Sequence, residues 1–339
     1  MKKLLSLALA VLLISGLCGC SLLSLYLPSF DGGEEDELIF IPDDTSYGYY
    51  YDQLSDDAKT IYRSIYKAST DEDGVEIILR EPLIFTEEVG GEEKTNAEIK
   101  ETMMRITQPA IDALQYDHPS IFWIRMGEGG STFSVTSRTR ENKDGTKTVH
   151  IQKLTFRLQM RHIPEGSTPD AEKAALDAAV AAFETAGETR YEILASIRDQ
   201  LAARVLYDAD AVRPHIAAGA LIDGRAVCDG YAKAVKLLCD MRGIPCIVVA
   251  GDTIQNGSTE SHAWNYIQME DGQWYAMDTT WDDRGDHAVT SYFLVGADSV
   301  VNGTKFSDSH LPTGCFSDGS YAPFTLPPLS SYRYQTLTS

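Results

Sequence analysis

No run of lysine or arginine occurs anywhere in the 339-residue chain, and its 29 basic residues face 50 acidic ones, a formal net charge of −21. Polyanion recognition needs a concentrated positive field, so nucleic acid and anionic lipid are excluded as partners of the folded part. There is no internal repeat, which excludes a repeat architecture. Cysteine is scarce, six in all. The last four, Cys228, Cys239, Cys246 and Cys315, fit no zinc spacing, and Cys239–Gly243 reads as a packed helix end. Neither a metal nor a cofactor is expected. What is present is globular: 43% hydrophobic and 23% charged residues, in a chain long enough for one large domain or two ordinary ones.

Met1-Lys2-Lys3, an apolar run from Leu4 to Leu17, and Cys18-Gly19-Cys20-Ser21 describe an export signal. Leu17-Cys18-Gly19-Cys20 resembles the bacterial lipobox, which would make Cys20 the lipidated first residue of a membrane-anchored, extracytoplasmic protein. An uncleaved anchor is the alternative, because apolar residues continue through Leu22, Leu23, Leu25 and Tyr26. Residues 1–20 are therefore read as signal. Residues 21–46, mixed in Ser, Gly, Pro and acid, are read as a flexible tether.

Residues 47–165 read as a small α+β region. Leu54, Ala58, Ile61, Tyr62 and Ile65 recur at helical spacing after Ser55, and a second helix over 96–116 contains Pro109. Strands are predicted over 120–126, 132–138 and 148–160, the last two joined by the turn Asn142-Lys143-Asp144-Gly145. From 166 to 310 the pattern gives helices over 167–187, 189–207 and 226–242. Strands follow over 244–250, 261–269, 273–279 and 291–295. Helices followed by antiparallel strands make an α+β class, and 311–339 is read as a C-terminal extension.

Three residues stand in chain order within that second region: Cys228 at a helix start, His262 in "SHAWNY", and Asp278 in "QWYAMDTTWDD". Singly, each has a structural reading: a small packed cysteine, a strand histidine, an aspartate opening a turn. Together they form a chemistry. A helix N-terminus lowers a thiol pKa and its N–H groups can hold an oxyanion. A histidine carries the proton, and a carboxylate fixes the histidine's tautomer. Gly224 and Gly230 permit the tight approach around Cys228. The pair His262 and Asp278 spans one predicted hairpin. A two-residue Asp271-Gly272 turn would put them on opposite faces, whereas a three-residue connection or a bulge brings them to the same face.

The blocks "GRAVCDGYAKAVKLLCDMRGIPCIVVAG", "SHAWNYI", "QWYAMDTTWDD" and "YFLVG" together resemble the core of bacterial transglutaminase-like proteins, relatives of papain-type thiol enzymes. The resemblance spans roughly residues 189–310. It implies a papain-like core with Cys228 as nucleophile, His262 as base and acid, and Asp278 as orienting carboxylate. It also places Trp264 and Trp281 beside the catalytic pair. Papain-type enzymes have a glutamine six places before the nucleophile, and here that position is Ile222, leaving Tyr207 and Tyr231 as candidates for a second oxyanion donor. "DTTWDDRGD" lacks the ligand spacing of a calcium loop and reads as a solvated turn.

The expected function is cysteine-dependent hydrolysis or acyl transfer on amide bonds of a peptide or protein, cell-wall peptide included. Two other readings stand beside it. One is a surface lipoprotein using the fold as a peptide- or glycan-binding module. The other is a disulfide-stapled domain in which Cys228 pairs with Cys239, Cys246 or Cys315.

Overall fold

Side-chain caps at Ser55, Thr168 and Thr189 mark where three of the helices begin. The computed structural model describes residues 47–68, 74–122, 132–157, 163–255, 257–314 and 323–336, with the backbone of 10–13 and 24–27. Most of the predicted signal, Cys20 and most of the tether lie outside the described residues, as does Cys315. The chain divides into two compact units. The first holds 51–113 and 132–157; the second holds 48–50, 114–122 and the described residues from 163 onward.

In the first unit the Ser55 hydroxyl accepts the Ala58 N–H at 3.4 Å and opens α1 (Asp56–Tyr66), whose Asp56 and Asp57 favour the positive first turn. Strand β1 (Gly74–Glu87) was not anticipated. Its pairing shifts between Ile78 and Leu83, around Pro82, which has no N–H for the ladder and breaks the alternation expected of a strand. Helix α2 (Glu92–Asp117) is longer than the apolar pattern suggests and contains Pro109 without ending there. Strands β2 (Thr132–Glu141) and β3 (Lys147–Arg157) flank the turn at 142–146, where Gly145 has φ +87°. The sheet order is β1-β3-β2, antiparallel throughout. Ser120, Ile121 and Phe122, read as the start of a strand, are turn and coil.

The second unit opens with α3 (Pro169–Ala181), capped by Thr168, and α4 (Arg190–Arg204), capped by a reciprocal Thr189–Glu192 box. After α4 a short parallel pair forms between β4 (Leu206–Tyr207) and β5 (Arg225–Ala226). Then α5 (Cys228–Met241) begins. It packs on the sheet β8-β7-β6-β9, made of β6 (Cys246–Gln255), β7 (Ser258–Gln268), β8 (Trp274–Met277) and β9 (His310–Pro312), all antiparallel. Val235, Leu238 and Cys239 of α5 are buried, as are Val248, Val249 and Ile267 of the sheet. Buried Asn265 on β7 donates to the Ala232 carbonyl of α5 at 2.9 Å, tying helix to sheet.

The β7–β8 register pairs Met277 with Asn265 and Trp274 with Gln268, and the Met269 N–H donates to Gln273 O at 3.0 Å. The connection is thus the three residues Glu270, Asp271 and Gly272, with Gly272 at φ +76°. Odd length keeps His262 and Asp278 on one face, one diagonal step apart.

Two sequence expectations fail here. Residues 291–295, "SYFLV", form turns rather than a strand: Leu294 has φ +51°, incompatible with extended backbone, and only Val295 bridges to Ala276. The segment after 310 is part of the second unit, not an appendage. His310–Pro312 is the sheet's edge strand, the Ser330 N–H donates to Trp274 O at 2.8 Å, and the Arg333 guanidinium donates to the carbonyls of Thr290, Ser291 and Phe293.

Gly230, in the first turn of α5, is a close-approach position. A Cβ there would lie 2.4 Å from Pro214 O and 2.8 Å from the Ala226 Cβ. Backbone cannot yield as a side-chain tip does. Gly230→Ala is expected to destabilise the protein by about 2–3 kcal/mol, read from urea unfolding. An unchanged midpoint would contradict the packing described.

Candidate active site

Cys228 is the first residue of α5, half-buried, with a free thiol. Val227, in the N-cap position, offers no side-chain bond to the helix, and the first intrahelical bond there runs from Tyr231 N to Val227 O. The N–H groups of Cys228, Asp229 and Gly230 precede that bond and lie at the positive end of the helix. Gly224, at φ +66°, makes the left-handed turn that ends the preceding helical turn Gly219–Asp223 and sends the chain into β5.

His262 lies on β7 and Asp278 one residue beyond β8. The His262 Nε2 is 2.8 Å from Asp278 Oδ2, which leaves Nδ1 outside that bond, and Cys228 is close enough to act on the ring's pKa. Burial pushes the His262 pKa down, but the Asp278 carboxylate and then Cys228 outweigh it, and the imidazole is raised to about 10. Burial would raise the Asp278 carboxyl, but His262 and then His310 hold it well below the usual carboxylate range. Asp278 is fully buried and ionised, so it only accepts. Its Oδ1 accepts the Trp281 N–H at 3.0 Å, so the aspartate does open the Thr279–Asp282 turn, with its second oxygen free for the histidine.

His310 was not singled out from the sequence. It is buried on β9, its Nε2 is 3.2 Å from the same Asp278 Oδ2, and its Nδ1 is 3.0 Å from Ser309 Oγ. No local pattern in "SDSHLP" marks it; only the pairing of β9 with β6 brings it here. One atom each from His262, Asp278 and His310 lie within 4.8 Å of one another, a grouping that a metal could in principle use. Both Nε2 atoms also lie at hydrogen-bond distance from the one carboxylate.

Other expectations separate. Tyr231 is buried, and its hydroxyl lies 2.9 Å from Val205 O and 2.6 Å from Asp283 Oδ2, so it is engaged away from the thiol. Tyr207 pairs across from Ala226, two residues before the nucleophile, and is 55% exposed; burial and then Cys228 raise its pKa. Ile222 is exposed in the Gly219–Asp223 turn. Trp264 is core, whereas Trp281 is half-buried with its ring 5.3 Å from His262. Arg284–His287 form an exposed turn. Cys239 and Cys246 are buried free thiols, and Cys228 is joined to neither.

Residues 177–279, which carry all three residues, match the sequence profile of the transglutaminase-like superfamily. The chain contains a transglutaminase-like domain. Kyphoscoliosis peptidase of Homo sapiens is 36% identical to it over 74 residues, 20% of this chain and 11% of that protein, and the Mus musculus protein matches to the same extent. The match therefore spans about a tenth of these relatives' length. Among solved structures, a crystallised TGase is similar at TM-score 0.30 and 12% identity, over 49% of this chain and 55% of that one. The periplasmic domain of TgpA from Pseudomonas aeruginosa is similar at TM-score 0.24 and 14% identity, over 61% and 69%. The transglutaminase-like domain has an α+β, papain-like core: a nucleophile-bearing helix packed on an antiparallel sheet that carries the histidine.

Proposed function

We propose that the chain is a cysteine-dependent enzyme acting on amide bonds of peptides or proteins, held at a bacterial cell envelope through lipid on Cys20. The observation that carries this reading is the His262 ring, 2.8 Å from the Asp278 carboxylate, with its pKa raised by that carboxylate and then by Cys228, which stands at a helix N-terminus. Each part has a role. His262 takes the thiol proton, and the resulting thiolate is favoured by the imidazolium and by the start of α5. The thiolate attacks the amide carbonyl, whose oxygen becomes an anion met by N–H groups of the first turn of α5. His262 then returns the proton to the leaving amine, and a thioester on Cys228 remains. Water resolves it to a carboxylate, or an amine to a new amide. The two mammalian proteins matched above are named peptidases, which favours water. The net charge of −21 keeps polyanions out of the substrate range and suits neutral or cationic peptides. A pure binding module needs none of this proton chemistry.

The test is thiol reactivity followed by substrate. In the purified full chain, Cys228 is expected to be alkylated by iodoacetamide at pH 6 at least tenfold faster than a free cysteine peptide, read by peptide mass spectrometry. A screen scoring peptide cleavage, ammonia release and amine incorporation should then give turnover that Cys228→Ala abolishes. Alkylation at the free-peptide rate would sink the enzymatic reading in favour of a binding module.

A further inference from the structure

We propose that His310 is a positioning residue for this site: its Nε2–H holds the Asp278 carboxylate in the orientation that lets His262 present Nδ1 to Cys228. The inference rests on the reading of Cys228 as nucleophile. It starts from a count of donors on one carboxylate. Oδ1 is taken by Trp281 N–H at 3.0 Å, and Oδ2 by the Nε2 of His262 at 2.8 Å and of His310 at 3.2 Å. An ionised carboxylate cannot donate, so both histidines must carry their proton on Nε2. A triad needs one such donor; the second has to be explained.

His310 is itself locked. It is 1% exposed, and its ring stacks on Phe306 with centroids 4.1 Å apart. Trp281 and Trp264 meet it edge-on at 4.7 and 5.1 Å, and Tyr292 lies at 5.4 Å. Asp278 and His262 are the charged groups that act on it most. Burial keeps its pKa below the ordinary value, against the pull of Asp278, so the ring stays neutral. A neutral ring protonated on Nε2 has a lone pair on Nδ1; Ser309 Oγ lies 3.0 Å from it and 3.2 Å from the Phe306 carbonyl, and its one hydrogen serves one of these two acceptors at a time. The arrangement His310–Asp278–His262 is therefore directional: both rings donate from Nε2 to one carboxylate, which leaves Nδ1 of His262 outside that bond. His310 does not touch the reacting atoms. It supplies the third donor that keeps Asp278 ionised and unrotated behind its imidazolium partner, beside a set of packed aromatic rings.

The experiment reads Cys228 directly and needs no substrate. Iodoacetamide alkylation of Cys228 in the full chain is measured from pH 4 to 9 for the wild type, His310→Phe, His310→Gln and Ser309→Ala, with thermal midpoints alongside. His310→Phe keeps the ring stack but loses the donor. It is expected to lower the pH 6 rate about tenfold and move the profile toward that of a free cysteine peptide. His310→Gln, whose amide can still donate to Oδ2, should stay within about threefold of the wild type even where its midpoint falls as far as that of the Phe variant. Ser309→Ala should shift the profile in the same direction by a smaller factor, about threefold. If His310→Phe does not fold, His310→Leu, which also removes the donor, is read in its place. An enhanced wild type with unchanged Phe and Ala variants overturns the role of His310 alone, as does equal loss in Gln and Phe. A wild type no faster than the free peptide overturns the nucleophile reading, and this proposal with it.

Discussion

Asp278→Asn is expected to reduce turnover by roughly 10³–10⁴-fold while leaving the fold recognisable by circular dichroism. The reason is a conflict that asparagine cannot resolve. Three N–H groups converge on Asp278, one on Oδ1 and two on Oδ2. An amide has one acceptor oxygen and one NH₂. If its oxygen faces Trp281, the NH₂ confronts both histidines and forces His262 onto the tautomer with its proton on Nδ1. That proton then faces the thiol, and the ring cannot serve as base. If the amide flips, the Trp281 N–H loses its partner and the turn that follows is uncapped. Turnover on the substrate found in the screen, together with the Cys228 alkylation profile, checks this; a variant within tenfold of the wild type would contradict the assignment.

The same pair sets a pH window with two edges. His262 is raised to about 10 from an ordinary value near 6.5, so the stability it contributes is complete below roughly pH 6.5 and is lost as pH rises through about 10. Asp278 is depressed, so its contribution is complete above roughly pH 4 and is lost on acidification. The stability gap between wild type and Asp278→Asn should therefore narrow from pH 7 to pH 9.5 in urea titrations.

Arg213→Ala is expected to lower stability by about 3 kcal/mol, for a fall in Tm of about 10 °C. Arg213 is 3% exposed and lies in the segment between β4 and β5 that delivers the chain to Cys228. Its Nε and Nη2 grip Asp223 at 2.6 and 2.9 Å, and Nη1 reaches Glu172 on α3 at 2.7 Å. Removing the guanidinium leaves Glu172, only 13% exposed, facing a hole instead of a charge. Because Asp223 closes the turn that Gly224 ends, the loss should also slow Cys228 alkylation. Calorimetry and alkylation rate together separate this from a distant packing defect, which would move the first and not the second.

How much of this can be read without coordinates depends on the range of the interaction. Helix α5 and strands β7 and β8 are legible because Gly224, Gly243 and the Glu270–Gly272 connection bound them and their apolar residues keep a clean period. Cys228, His262 and Asp278 are legible because each sits at a marked point of those elements. Strand β1 is not, because Pro82 interrupts its alternation, and 291–295 misleads because its apolar content serves burial in turns. His310 is the instructive omission: its meaning comes from an edge pairing with β6, and nothing next to it in sequence reports that. The assignment of 311–339 as an extension fails for the same reason.

The three-residue connection after β7 also restricts how this hairpin can change length over evolutionary time. Losing or gaining a single residue there reverses the parity of everything on β8, which carries Asp278 to the wrong side of the sheet while leaving every individual residue intact. Changes in steps of two, or a single change paired with a bulge, preserve the site. The loop itself has no part in the proposed reaction, yet its length decides whether the site can form.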